Sequence, residues 1–371
     1  MAAMVLVNDP GSATTYAPLE HAEWNGATAT DLIFPCFLVI VGVSTTLSFG
    51  ARLNRGVTHR SLALHTLRRG ALIVAIGLVL NIIFHIDFAH WRYPGVLQRI
   101  GLCYILGALL YLALPGPDTG RFRTLREIVI SAVAVACLAT YWLLLKFYPT
   151  PGFGPGHLDS YMSLPAVIDR AVFGLNHIYR FATTPGIKGP TYDPEGVLST
   201  LPALTNVLFG LLAGEQLRSN RPRRAQCGIL ATMGTGLWIA GLTLSHWMPL
   251  NKKLWTGTFA LFTSGLAILA LAGLLYLIDI RKHRRGWTFP LIFGTNAILA
   301  YVLSDIVGWV FSLIYLPLGG QRINMHAWLM RAVFTPRLSP KNASLGYALL
   351  YVAIVALMVY PLYRRRIFLR L

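Results

Sequence analysis

Apolar positions fall into nine long runs separated by short polar stretches: 31–50, 70–85, 95–114, 127–147, 196–217, 227–248, 256–279, 288–314 and 345–363. Several exceed the roughly 18–20 residues that a helix needs to cross a bilayer core. Residues Met1 to Val7 are one more apolar piece. At about 1.5 Å of rise per residue it cannot cross a membrane alone, and it reads as the tail of a further helix. The pattern predicts an all-α membrane protein: a polytopic bundle of about ten transmembrane helices, the first truncated at the N-terminus, forming a single domain over residues 1–371.

The polar intervals are asymmetric. Intervals 51–69, 115–126, 218–226 and 280–287, with the tail after 363, hold most of the 32 Lys and Arg, among them Arg68, Arg69, Arg121, Arg123, Arg284 and Arg370. They alternate with the other intervals, so they are expected to be cytoplasmic, as is the C-terminus. The remaining intervals, 9–30, 86–94, 148–195, 249–255 and 315–344, are then outward. On or beside them lie His21, His85, His90, His157 and His177 and most of the carboxylates. Chemistry-capable side chains therefore gather on the outer side. Interval 148–195 is the longest, and its Pro- and Gly-rich start predicts an irregular lid.

Composition agrees. The chain is 55% hydrophobic and 12% charged, with mean hydropathy +0.57, against about 25% charged in a soluble domain. A net charge of +18 would suggest nucleic acid in a soluble protein. Here it orients a membrane protein, and no nucleic-acid partner is expected. Cys36, Cys103, Cys137 and Cys227 lie in apolar segments without metal or disulfide spacing, so no metal is expected. P-loop, HExxH and GxSxG patterns are missing as well.

The richest polar stretch is His21-Ala-Glu-Trp-Asn-Gly26, followed by Thr30-Asp31 at a helix entry. A histidine there can take a proton near neutral pH or carry an acyl group. Asp31 or Glu23 could orient its ring. The same residues also suit an ordered helix entry with Trp24 at the interface. Asn8 ends the first apolar piece, where an Asn is usually a cap and could equally hold a carbonyl oxygen. Gln98 and Arg99 sit about a turn inside a predicted span, and a membrane-embedded Arg either serves a site or snorkels. Tyr192-Asp193-Pro194-Glu195 pairs an aromatic ring with carboxylates, as a sugar site requires, although Asp-Pro is also an ordinary turn. Asn296 and Asp305 lie inside the span 288–314.

These blocks, in order, resemble the heparan-α-glucosaminide N-acetyltransferase family. The resemblance is carried by His21-Ala22-x-Trp24-Asn25-Gly26, Asp31-Leu32-x-Phe34-Pro35 and Pro94-Gly95-Val96-Leu97-Gln98-Arg99. It continues through Ile168-Asp169-Arg170, His177-Ile178-Tyr179, Tyr192-Asp193-Pro194-Glu195-Gly196 and Asn251-Lys252-x-Leu254-Trp255. Gly294-x-Asn296-Ala297 and Tyr363-Arg364-Arg365-Arg366 complete it. The resemblance implies a transmembrane acetyltransferase that takes acetyl-CoA from the cytoplasm and acetylates an amino sugar or related glycan across the membrane. It places the active-site histidine on His21 and the nearby asparagine on Asn8, and Asp31 or Glu23 is the carboxylate expected to orient the ring. Trp24, Asn25, Gln98, Arg99, Tyr192, Asp193, Glu195 and Asn296 are the expected acceptor residues, and Arg68 and Arg69 the CoA-phosphate residues.

Family members begin with a basic segment leading into the first helix, so about ten to twenty residues are expected before Met1, enough to complete a span. Without the long lumenal extension of the animal enzyme, the expected acceptor is a cell-envelope amino sugar of a bacterial-type inner membrane. Membrane lipid and a homodimeric partner are further expectations. Two rival functions use the same residues. An O-acyltransferase would make esters of envelope glycans. A secondary transporter would use Asp305 and Arg99 as substrate or ion residues.

Overall fold

The computed structural model describes residues 1–84, 86–114 and 120–368, with backbone alone at Gly120 and Arg121. His85 and Arg370, assigned above to an outward interval and to the tail, lie outside the described residues. The helices are α1 (Ala2–Asn8), α2 (Ile33–Leu53), α3 (His59–Ile83), α4 (Val96–Ala113), α5 (Gly120–Phe147), α6 (Leu164–Phe173) and α7 (Thr200–Arg218). They continue with α8 (Arg223–Leu244), α9 (Gly257–Leu274), α10 (Thr288–Thr295), α11 (Ala297–Leu313), α12 (Met325–Trp328) and α13 (Pro340–Arg364). A hairpin of β1 (Tyr315–Leu318) and β2 (Gln321–Asn324) pairs Tyr315 with Asn324.

The protein is a predominantly helical, multi-pass membrane protein, as the apolar pattern predicts. Helices satisfy their backbone hydrogen bonds internally, which an apolar medium demands. Among the described residues, seven helices are long and apolar enough to cross a membrane, or eight if the bent pair α10–α11 is one span. The expected count was about ten. α7 stands where the fifth run was predicted and has 19 residues, but Asn206, Glu215, Gln216 and Arg218 dilute its apolar character. α3 begins eleven residues before the predicted start at 70, because the Thr58 side chain caps it by accepting from Ser61 N–H (3.3 Å). Arg68 and Arg69 are therefore helical. The run 288–314 is two helices bent by 86°, and the break falls at Asn296, whose backbone leaves the helical region (φ −133°, ψ 52°).

The described residues form two compact units. The smaller holds Met1–His21, Thr28–Ile33 and Arg284–Leu371. In it α1 packs on α13 and on the single 3-10 turn Thr30–Leu32, while α10 and α11 pack on α13. The Asn296 amide donates to the Ile367 carbonyl (3.1 Å), holding the break against the chain after α13.

The larger unit holds Ala22–Ala27 and Phe34–His283. Its helices meet through glycines. A Cβ at Gly42 of α2 would overlap the Val207 carbonyl of α7, and one at Gly210 would overlap the Val39 carbonyl. This close approach of backbones is what small residues permit between membrane helices. α8 and α9 meet the same way, with Gly265 against the Trp238 backbone. Trp255, fully buried before α9, takes a left-handed backbone (φ 52°). Its indole donates to Asn206 (3.0 Å), with Phe34 and Phe259 edge-on to the ring.

Segment 148–195 is ordered. It contains α6, which follows Ser163 with Pro165 in its first turn, and a short bridge between Thr183 and Pro190. Ala166, Ala182 and Tyr192 form its small core, with Trp24 against them. Arg170 fastens it by donating to the Thr191 (2.5 Å) and Tyr161 (2.8 Å) carbonyls.

Candidate active site

In the smaller unit, the loop before α2 folds on itself around one carboxylate. Asp31 is buried in the 3-10 turn and its Oδ2 accepts from Thr28 N–H (3.0 Å). The Thr28 hydroxyl lies 2.6 Å from the Glu20 carbonyl and 3.1 Å from Asp31 Oδ2. Thr30 donates to the Pro18 carbonyl (3.2 Å). These bonds bring the chain back past His21, whose Nδ1 lies 2.7 Å from Asp31 Oδ1. The imidazole side chain is 47% exposed and the carboxylate 1%.

A carboxylate on Nδ1 fixes the tautomer with the proton there, so Nε2 carries the basic lone pair. An orienting carboxylate, a histidine held in one tautomer and an accessible ring form the arrangement of a general base or an acyl carrier. Of the two carboxylates considered for orientation, the one in place is Asp31. Asn8 is the last residue of α1, with an exposed side chain, and α1 packs on the turn that holds Asp31. Asn296 supports the α10–α11 break.

The larger unit gathers most of the remaining candidates. Its centre is Arg92, which sequence reasoning missed. Arg92 grips Asp193 with two bonds (Nε–Oδ2 2.9 Å, Nη2–Oδ1 2.6 Å) and reaches Glu195 Oε2 at 2.6 Å. Its guanidinium lies over the Tyr179 ring, 4.5 Å from the centroid. Asp193 also accepts from Tyr179 N–H (2.8 Å) and Glu195 N–H (2.9 Å). With four bonds, its carboxylate is mostly committed to the fold. Burial alone would raise the Glu195 carboxyl, but the Arg92 and Arg99 guanidinium groups overcome this and hold it below its ordinary value. Burial would likewise favour the neutral form of Arg92, and its two carboxylates more than reverse that.

Arg99 is fully buried in the first turn of α4. One arm donates to the Gly196 carbonyl (3.0 Å) and to Ser199 Oγ. The guanidinium faces the Trp255 ring at 5.0 Å. Among the described residues, Arg99 Nε and Nη1 and the neighbouring Gln98 Nε2 have no hydrogen-bond partner. Three buried donors without protein acceptors call for ligand or water oxygens, since leaving them unmet costs about 1–3 kcal/mol each.

Trp24 donates to the Leu158 carbonyl (2.8 Å) and meets Tyr192 edge-to-face at 5.2 Å. Asn25 accepts from Asn251 (3.2 Å), and Gly26, at φ 110°, donates to the Leu250 carbonyl (2.7 Å). Asp169 of α6 accepts from Val197 N–H (2.9 Å), and a Cβ at Gly196 would overlap its carboxylate. Burial raises this carboxyl to about 7, against the pull of the Val197 bond.

A second polar cluster lies on α7 beyond Arg99. Glu215, also missed from sequence, is buried and accepts from Tyr111 (2.5 Å) and Arg126 (3.0 Å), with Arg218 at 3.8 Å. It stands sixteen residues from Ser199, about 24 Å along a helix axis. Arg68 is exposed on α3, and Arg69 lies with its guanidinium 5.3 Å from the Tyr104 ring.

A family profile described as heparan-alpha-glucosaminide N-acetyltransferase, catalytic, matches residues 9–154. That stretch holds His21, Asp31, Arg92, Gln98 and Arg99 and stops one residue short of Asn8. The chain is 30% identical over 342 residues to the heparan-alpha-glucosaminide N-acetyltransferase of Mus musculus, covering 82% of this chain and 51% of that protein. It is 31% identical over 341 residues to the Homo sapiens protein of the same name, covering 82% and 50%. The chain spans about half the length of these curated relatives. With the ordered motifs and the matched catalytic stretch, the chain is similar to the heparan-α-glucosaminide N-acetyltransferase family over 82% of its own length.

Proposed function

We propose that this protein is a membrane acyltransferase that moves an acetyl group from acetyl-CoA to the amine of an amino sugar or related glycan. The arginine-rich intervals and the C-terminus face the cytoplasm of a bacterial-type inner membrane, and His21 faces outward. The observation that carries this reading is the His21–Asp31 pair, at 2.7 Å in a loop closed by Thr28 and Thr30.

Asp31 holds the Nδ1 proton, and Nε2 takes a proton from the acceptor amine as its nitrogen attacks the thioester carbonyl carbon. The C–N bond forms, the C–S bond breaks, and the proton passes from His21 to the departing CoA sulfur. In a two-step variant Nε2 itself first accepts the acetyl group, releasing CoA, and then yields it to the amine. Label exchange between acetyl-CoA and free CoA without acceptor occurs only in the two-step variant. Asn8 supplies an amide donor to the thioester oxygen. Asn296, which holds the α10–α11 break, is kept as an acceptor residue of the smaller unit.

In the larger unit, Trp24 and Tyr192 offer ring faces and edges to a sugar. The unpaired donors of Gln98 and Arg99 suit substrate oxygens. Asp193 and Glu195 act through Arg92, which they orient. The exposed Arg68 and the neighbouring Arg69 suit the CoA phosphates as charged donors.

The product separates this reading from its rivals. Transfer to a purified amino sugar gives an amide stable to mild base. An O-acyltransferase gives a base-labile ester instead. A transporter gives substrate accumulation in proteoliposomes that survives His21→Ala, and that result would end the acyltransferase reading.

A further inference from the structure

Between α5 and α8, within the larger unit, lies a groove of about 430 Å³ that no residue of the site above lines. Ser131 of α5 stands on one wall, Thr232 and Gly236 of α8 on the other, and Phe209 of α7 forms the floor. Ser131, Thr232 and Gly236 are exposed, so the groove opens sideways from the bundle, toward the membrane. Glycines shape it. A Cβ at Gly234 or Gly241 would overlap α9, at the Gly265 carbonyl and the Phe262 backbone, whereas one at Gly228 or Gly236 would meet nothing within 4 Å. α8 therefore has two glycine-bearing faces. One is used against α9 inside the fold, and the other is left open beside the groove.

One end of the groove is strongly basic. Glu127 and Gln216 line that end and are joined at 3.1 Å. Glu127 is neutralised by Arg123 at 2.9 Å, and Arg126 and Arg218 are committed to Glu215. Arg221, Arg223 and Arg224 remain, all exposed, and among the described residues none of the three has a carboxylate within ion-pair distance. Arg221 reaches the groove lining itself, with its Nη1 3.5 Å from Gln216 Oε1. A bond of that length is weak and leaves the guanidinium fork open to a better acceptor. Arg224, Gly228 and Thr232 follow at four-residue steps, on one face of α8.

Shape and charge together select the occupant. A helix about 10 Å wide fills about 420 Å³ in a single turn of 5.4 Å. The groove thus has room for one turn of a partner helix, but for a far longer stretch of a thinner acyl chain. Basic pockets between membrane helices suit anionic lipid headgroups. A second opening beside α5 and α8, of about 640 Å³, lies between Trp142 and Trp247. Its one polar side chain, Thr258, is committed to the Met248 (3.0 Å) and Pro249 (3.2 Å) carbonyls, and no cation lines it. The charge that would select a headgroup is confined to the arginine end.

We propose that the α5–α7–α8 groove is a binding site for an anionic phospholipid, with one acyl chain lying over Phe209 and Gly236 and the phosphate held by Arg221 and Arg224. The proposal concerns a surface remote in sequence from His21 and Asp31 and does not depend on the acetyl-transfer reading.

The test titrates phosphatidylglycerol and phosphatidylcholine of identical acyl chains into the delipidated, detergent-purified full chain, with occupancy read by native mass spectrometry. Phosphatidylglycerol is expected to bind at least about tenfold tighter than phosphatidylcholine. Arg221→Gln combined with Arg224→Gln is expected to weaken phosphatidylglycerol about 30-fold, about 2 kcal/mol, and to leave phosphatidylcholine unchanged. Gly236→Leu fills the groove and is expected to weaken phosphatidylglycerol at least about tenfold. It should not lower the thermal midpoint of the lipid-free protein, because the added side chain meets open space and Leu is the stronger helix former. Both arginines are exposed, so the arginine variant keeps the test decisive whatever Gly236→Leu does to folding. Equal affinity for the two lipids, or phosphatidylglycerol binding that survives the arginine substitutions, overturns the proposal. Displacement of the lipid by inorganic phosphate or by CoA at equal concentration would assign the arginines to a free phosphate and overturn it. A concentration-dependent dimer that is lost in Gly236→Leu, with phosphatidylglycerol binding intact, would give the groove to a second copy of the chain and overturn it too.

Discussion

Replacing Asp31 by Asn removes one charge and keeps the shape. Asp31 is buried, holds His21 Nδ1 at 2.7 Å and is itself held by Thr28. As His21 takes up the acceptor's proton, an imidazolium forms against this carboxylate. Two unit charges about 4 Å apart interact by about 4 kcal/mol at an effective dielectric of about 20. Because the imidazole is half exposed, solvent screening reduces this, and about 2–4 kcal/mol is expected. Asn can also turn its amide toward Nδ1 and favour the wrong tautomer. Each 1.36 kcal/mol is about tenfold in rate, so kcat should fall about 30- to 1,000-fold. The acceptor KM should change little, since the loss falls in the transition state. The assay is the initial rate of acetyl transfer at saturating and limiting acceptor, with thermal unfolding as a control for folding. A folded Asp31→Asn protein with kcat within about threefold of wild type would show that the pair is only a structural fastening of the loop.

Two further outcomes follow from the larger unit. Arg92→Ala leaves Asp193 and Glu195 buried without their main countercharge, and should cost about 3–5 kcal/mol of stability. A lowered thermal midpoint in Arg92→Ala, largely restored when Asp193→Asn and Glu195→Gln are added, checks this; an unchanged midpoint in the single variant would contradict it. Asp169, raised by burial from 3.8 to about 7, favours the folded state when neutral. Its contribution is complete below about pH 4 and is lost as pH rises through about 7, on the order of 4 kcal/mol by pH 8. Asp169→Asn should therefore unfold at higher temperature than wild type at pH 8 and with a flatter pH dependence. Parallel curves for the two proteins would refute the assignment.

The helices were legible because membrane spans announce themselves by unbroken apolar runs, and each of the nine runs is occupied by helix in the structure. What the runs hid were departures that depend on single polar residues. Thr58 caps α3 well before the apolar run starts, and Asn296 breaks one run into two helices at 86°. α6 was obscured by the Pro- and Gly-rich chain before it, although Ser163 and Pro165 mark its start. In the site, His21 and Asp31 are ten residues apart, so their pairing was within local reach. Arg92 and Glu215 were not. Their partners lie about a hundred residues away in sequence, at Asp193 for one and Tyr111 for the other. Glu215 did carry a signal, a carboxylate inside an apolar run, which needs partners. Arg92 carried none, sitting in a short polar interval where an arginine is unremarkable by composition.

The most direct test of the central claim is acetyl transfer itself. Purified protein is given labelled acetyl-CoA and a panel of amino sugars, with His21→Ala beside wild type. Labelled, base-stable product from wild type, reduced to background in His21→Ala, is the predicted result. Undiminished transfer by His21→Ala, or no transfer and no release of free CoA by wild type with any acceptor, would contradict the account.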